Sequence, residues 1–158
     1  MQKILILYYS RTGNTEKMAK AVAEGAKAIQ GVEAELKFHA RPEEFADYNA
    51  IAIGAPTYHH DMAVDIKNLL EKIALKNVNL EDKIGAAFGS YGWSGEAPRL
   101  VLEIMKNRFE MHLMEPPVLL KYVPDEAGLE KCRQLGKEIA EKLMLRAHAT
   151  RGEKGFPE

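Results

Sequence analysis

Unbroken apolar blocks alternate along the chain with amphipathic stretches. The first block, Ile4-Leu5-Ile6-Leu7-Tyr8-Tyr9, stops at a polar loop, and behind it Met18, Val22, Gly25 with Ala26, and Ile29 recur at helical spacing. This predicts a strand followed by a helix over 14–30, with Gly31 as its stop. Residues 32–38 alternate apolar with charged side chains, the habit of a half-exposed edge strand. Arg41-Pro42-Glu43-Glu44 opens a short helix or turn. The runs 50–54 and 84–89 are small and branched throughout and read as strands buried on both faces. Amphipathic helices are expected over 64–75 and 99–109, an uninterrupted fifth strand over 118–123, and a last helix marked by Leu129, Cys132, Leu135, Ile139 and Leu143. From residue 148 to 158 the periodicity dissolves, so one domain over 1–147 with a mobile tail is expected. Five strands separated by helices make a doubly wound α/β fold, because each parallel connection must cross over right-handedly.

The first loop carries the most chemistry. Ser10, Arg11, Thr12, Gly13, Asn14 and Thr15 lie between a buried strand and a helix N-terminus, where hydroxyls, an amide and free backbone N–H groups can converge on one anion. The loop has neither the Gly-x-x-x-x-Gly-Lys-Ser/Thr spacing of a nucleotide triphosphate site nor the Gly-x-Gly-x-x-Gly of a dinucleotide site. Its short, hydroxyl-rich character suits a single terminal phosphate.

In a doubly wound sheet, ligands lie beyond the carboxyl ends of the strands where the strand order reverses, so the loops after strands one, three and four should meet. The second loop holds Pro56, Thr57, Tyr58, His59 and His60, and the third holds Ser90, Tyr91, Gly92, Trp93 and Gly95. Aromatic walls beside backbone polar groups are what a flat ring with polar edges requires. The only tryptophan of the chain, Trp93, falls between two glycines in a turn, which is a poor place for a core residue. The adjacent pair His59 and His60 does not read as a metal site, since neighbouring side chains diverge and no cysteine or carboxylate cluster accompanies them. One of the two is expected at the ring edge. The loop 57–62 has no glycine, so any left-handed residue there must be a strained one.

Length and charge narrow the function. The 158 residues suit a single domain, and 46% hydrophobic with 28% charged residues is ordinary for a globular protein. A net charge of -1 gives no reason to expect nucleic acid. No apolar run approaches membrane length and the opening Met-Gln-Lys leads directly into a strand, so a cytoplasmic protein without a signal peptide is expected. The single cysteine, Cys132, sits on the apolar stripe of the last helix and reads as a small core residue.

Ser-Arg-Thr-Gly-Asn-Thr-Glu-Lys-Met-Ala, residues 10–19, resembles the phosphate-loop signature of the flavodoxins. Pro-Thr-Tyr-His-His and Phe-Gly-Ser-Tyr-Gly-Trp-Ser-Gly-Glu-Ala resemble the corresponding segments of the flavodoxin domain of flavodiiron proteins, with His59 and His60 in place of two asparagines. The resemblance implies a short-chain, five-stranded parallel sheet in the order 2-1-3-4-5, three layers deep, with FMN bound by the three loops. It further implies a low-potential electron carrier, monomeric rather than dimeric. Its donor would be a reductase or a ferredoxin-like protein, and a separate diiron oxidase is one candidate acceptor, the diiron half being absent from this chain. An alternative implied by the same fold is an NAD(P)H-dependent FMN or quinone reductase. Most flavodoxins are markedly acidic, and the near-neutral charge here argues against an acidic docking face.

Overall fold

The structure is a computed structural model, and it describes residues 1–153. In chain order it contains β1 (Gln2–Tyr8), α1 (Asn14–Lys27), β2 (Val32–Lys37), a 3-10 turn (Pro42–Asp47), β3 (Ala50–Gly54), β4 (Thr57–Tyr58), β5 (Asp61–Met62), α2 (Val64–Leu75), β6 (Ile84–Tyr91), α3 (Glu96–Asn107), β7 (His112–Leu113), β8 (Val118–Lys121) and α4 (Glu126–Glu153).

The main sheet is parallel and runs β2-β1-β3-β6-β7, with β8 also paired to β6. Counting β7 and β8 as one interrupted fifth strand, this is the expected order. Alternation in the strands builds two cores. Ile4, Ile6, Ala52, Ala86 and Phe88 face α1 and α4, meeting Met18, Val22, Cys132, Leu135 and Ile139. Leu5, Leu7, Ile51, Ile53 and Ala87 face α2 and α3, meeting Ile66, Leu70, Ile73, Val101 and Met105. Because β1, β3 and β6 are covered on both sides, their central runs 4–7, 50–54 and 84–89 are apolar at consecutive positions rather than every second one.

Glycine sets the closest approach between α1 and α4. A Cβ on Gly25 would lie 1.8 Å from the carbonyl oxygen of Arg133, and one on Gly136 would lie 1.9 Å from that of Val22. Two helix backbones meet here with no side chain between them.

The expected elements shift in four places. The first helix ends at Lys27 rather than near 30, and the chain turns through Gly31 at φ +91°. The helix expected from 99 begins at Glu96, since Pro98 sits in its first turn, where a missing N–H leaves no helical bond unmade. The fifth strand expected over 118–123 is present as β8, and an additional short strand, β7, precedes it, separated from it by Pro116 and Pro117, which supply no N–H to a ladder. The C-terminal end of β8 stops early, Tyr122 leaving the strand in a left-handed conformation at φ 58°. Finally, α4 continues through residues 148–153, and the remainder of the expected tail, 154–158, lies outside the described residues.

Candidate functional site

The phosphate loop is shaped from its own residues. Gly13 adopts φ +90°, a conformation that suits glycine, and nothing lies within 4 Å of where its Cβ would be. The Ser10 hydroxyl accepts the N–H of Gly13 at 3.0 Å and of Glu16 at 3.3 Å. A serine hydroxyl has two acceptor positions and one donor. With both acceptor positions occupied, its proton is left to donate outward at the N-terminus of α1, where the helix dipole also favours an anion.

Thr15 behaves differently from its neighbours. Its side chain turns inward, almost fully buried, and its Oγ1 lies 3.0 Å from Ser90 Oγ while accepting the Ser90 N–H at 3.3 Å. The two loops expected to meet are therefore joined by a buried hydroxyl pair 75 residues apart in sequence.

The second loop is a two-residue hairpin between β4 and β5, an element not anticipated from the sequence. His59 at φ 50° and His60 at φ 65° form its tip. Two left-handed residues at this position give the turn that matches the twist of a tight hairpin, ordinarily filled by Asn-Gly. Two contacts fasten this strained hairpin to the start of α3. Thr57 Oγ1 accepts the Ala97 N–H at 2.9 Å, and His60 Nδ1 lies 2.8 Å from Glu96 Oε2 and 3.0 Å from Ser94 Oγ. The hydrogen bond from Ser94, followed by that from His60, holds the Glu96 carboxyl below the usual carboxylate range. Its other oxygen, Oε1, is buried and unpartnered.

Between the loops lies an open cleft of about 450 Å³, lined by Ser10, Arg11, Thr12, Asn14 and Thr15 at one end and by Pro56, Thr57, Tyr58, His59, Ser90, Tyr91, Gly92 and Trp93 along its length. A smaller recess of about 270 Å³ continues from it past His60 and Ser94. Gly95 stands outside both, as the N-cap of α3. Arg11 is exposed, its guanidinium 4.4 Å above the Tyr58 ring, and Tyr9 meets the same ring edge-on at 6.5 Å. Burial pushes the Tyr58 phenol up, with Arg11 opposing. Trp93 is 89% exposed at the rim.

Sequence reasoning missed Tyr122. It lines the cleft beside the third loop, 61% exposed, with its N–H donating to the Tyr91 carbonyl at 2.7 Å. Its position in an apolar run suggested a buried strand residue, and the backbone turn that exposes it leaves no mark in the pattern.

A larger hollow of about 780 Å³ lies at the amino ends of the strands, between Met1, Asn49, Asp82 and the end of α4. It has no aromatic wall and no helix N-terminus. The carboxyl-end cleft has both, where the strand order reverses between β1 and β3.

The profile of the Flavodoxin family matches residues 6–136 of this sequence. The chain belongs to the flavodoxin family. It is 31% identical to a flavodoxin of Aquifex aeolicus over 92% of this chain and 89% of that one. It is also 38% identical to the type A flavoprotein FprA of Rhodobacter capsulatus, over 91% of this chain and 34% of that protein, so it spans about a third of that relative's length. Among solved structures, a flavodoxin from the domain Archaea superposes with a TM-score of 0.84 at 34% identity, covering 90% of this chain and 99% of that one. Flavodoxins are FMN electron-transfer proteins, and this flavodoxin has the fold of that class. Among its described residues no helix is long and apolar enough to cross a membrane.

The cleft fits the group the family implies. Its volume lies within the range of small-molecule sites. Donors gather at one end, around Ser10 and the open space beside Gly13. At the other end the exposed rings of Trp93 and Tyr122 offer the faces a flat ring system needs.

Proposed function

We propose that this flavodoxin binds one FMN in the carboxyl-end cleft and passes electrons between cytoplasmic redox proteins, as a carrier and not as a substrate-reducing enzyme. The observation that supports this most is the polarity of the cleft: hydroxyl and N–H donors at the α1 terminus, exposed aromatic rings at the far rim. FMN, when bound, supplies the ability to take up and give off one or two electrons.

The chain's residues do the rest. Ser10, Thr12, Asn14 and the first N–H groups of α1 hold the phosphate. Pro56, Thr57, Tyr58, His59 and His60 on one side, with Tyr91, Gly92, Trp93 and Tyr122 on the other, hold the ring. Thr15 and Ser90 contribute by tying the first loop to the third from beneath. Apolar and aromatic walls exclude water along one face and disfavour additional negative charge there. The exposure of Trp93 and Tyr122 leaves one edge open to another protein.

Rapid mixing of the FMN-loaded protein with NADPH or NADH tests the carrier reading. A carrier should show no fast bleaching by either nucleotide but fast reduction through a separate reductase. Direct bleaching at stoichiometric protein would identify a reductase instead.

A further inference from the structure

Arg11 stands apart from the other residues of the first loop. Ser10, Thr12 and Asn14 are neutral donors beside the α1 N-terminus, whereas the Arg11 guanidinium lies 4.4 Å above the Tyr58 ring, on the second loop. Tyr9 meets that ring edge-on at 6.5 Å, so the ring that seats the guanidinium is itself held. Arg11 pairs with no carboxylate among the described residues. Among the described residues that line the cleft and its recess, it is the only arginine, lysine, aspartate or glutamate. Glu16 and Glu96, at the starts of α1 and α3, are not part of that lining and have partners of their own. Glu16 accepts the Tyr8 hydroxyl at 3.2 Å and lies 3.8 Å from the Lys20 ammonium, and Glu96 lies 2.8 Å from His60 Nδ1.

We propose that Arg11 sets the reduction potential of the bound FMN, its charge favouring the reduced ring over the oxidised one while neutral donors recognise the phosphate. This role rests on the reading of the cleft as an FMN site and names the residue that tunes it. Reduction by a donor protein adds two electrons and one proton to the ring, which gains one negative charge; when a second proton follows, it gains none. Aromatic and apolar walls disfavour the added charge, and a cation on the same wall opposes them. The guanidinium is protonated at every working pH, so its influence varies with the charge of the ring and not with its own. Arg11 is exposed, and water and salt therefore keep the effect modest.

The test compares the FMN-loaded full chain with its Arg11→Gln and Arg11→Lys variants by potentiometric titration across pH. Arg11→Gln should weaken binding of reduced relative to oxidised FMN roughly three- to tenfold, the size of a partly screened charge interaction. That lowers the midpoint potential by about 15–30 mV, at about 30 mV per tenfold change for a two-electron couple. Arg11→Lys, which keeps the charge and loses the planar stack, should restore most of the potential. The lowering should be largest on the alkaline limb, where the ring gains a negative charge, and should fade on the acid limb, where the second proton cancels it. It should also shrink between roughly 0.01 and 1 M salt, over which the Debye length falls from about 30 to 3 Å. The ratio of FMN to riboflavin affinity in the oxidised state should change far less than in Ser10→Ala. In the apo-protein, the Tyr58 phenol, isolated by difference against Tyr58→Phe, should titrate at higher pH in Arg11→Gln, because Arg11 opposes the rise that burial causes.

An unchanged midpoint potential in Arg11→Gln, an equal lowering in Arg11→Lys, a lowering that is the same at every pH, or an unmoved Tyr58 phenol would overturn the proposal. So would a collapsed ratio of FMN to riboflavin affinity at unchanged potential, which would put the guanidinium on the phosphate. Failure of the underlying FMN reading would show separately, as no uptake of FMN in a direct titration; the Tyr58 phenol of the apo-protein would still report where the guanidinium lies.

Discussion

His60 Nδ1 lies 2.8 Å from Glu96 Oε2, joining the tip of a strained hairpin to the first residue of α3. The carboxylate's tie to this loop runs through that oxygen, since Oε1 is buried without a partner. His59, beside it at φ 50°, has the same backbone strain without the tie. Both His59→Gly and His60→Gly relieve a left-handed penalty of about 1–2 kcal/mol, less the entropy glycine loses on folding. Only the second also breaks the contact with Glu96. His59→Gly should therefore be the more stabilising of the two in urea unfolding, and the reverse order would show that Glu96 does not support the hairpin.

The buried pair Thr15 and Ser90 should behave as a unit. Thr15→Val keeps the shape, removes the hydroxyl and leaves Ser90 without its 3.0 Å partner. An unsatisfied buried group costs about 1–3 kcal/mol. Adding Ser90→Ala should recover part of that loss, because then neither hydroxyl is buried alone. A double-mutant cycle read by denaturant midpoint measures the coupling.

Gly25→Ala should be strongly destabilising although alanine is the better helix former. Its methyl carbon would fall 1.8 Å from a backbone oxygen of α4, so the helices must separate. Overpacking of this kind costs about 1–3 kcal/mol, and each kcal/mol lowers Tm by roughly 2–4 °C at this size. An unchanged or raised Tm would contradict the packing described.

Acid should loosen the turn after β2 before it unfolds the sheet. Glu44 accepts the Arg41 N–H at 2.7 Å and the Lys37 ammonium at 2.9 Å, which together hold its carboxyl down at about 2. A depressed carboxyl stabilises the fold above its unfolded value, and the contribution is lost as pH falls through the folded one. For Glu44 that window runs from 4.5 down to about 2. Glu44→Gln should flatten the pH dependence of stability within it, and an unaltered acid limb would show that the carboxylate contributes nothing there.

How far the sequence led depended on which positions were set locally. The strands β1, β3 and β6 and the helix α2 were legible because two-sided burial and helical spacing write themselves into the residue pattern. The three loops were legible through their residue types. Backbone-determined features were not: the inward turn of Thr15 requires Ser90, 75 residues away, and the exposure of Tyr122 comes from one left-handed residue after an apolar strand. The hairpin of β4 and β5 was hidden because its turn carries two histidines where glycine or asparagine would have announced it. Cys132 was correctly placed by its spacing. It is fully buried, and burial pushes its thiol up to about 12.

Competitive titration of the apo-protein with FMN and riboflavin, followed by flavin fluorescence, tests most directly whether the loop of residues 10–15 holds a terminal phosphate. The phosphate should gain at least two charge-assisted hydrogen bonds of about 1.5–3 kcal/mol each. One FMN per chain should then bind at least about a hundredfold more tightly than riboflavin, each tenfold being about 1.4 kcal/mol. Ser10→Ala should narrow that ratio by weakening FMN alone. Equal affinity for the two flavins, or a ratio indifferent to Ser10→Ala, would contradict the phosphate assignment.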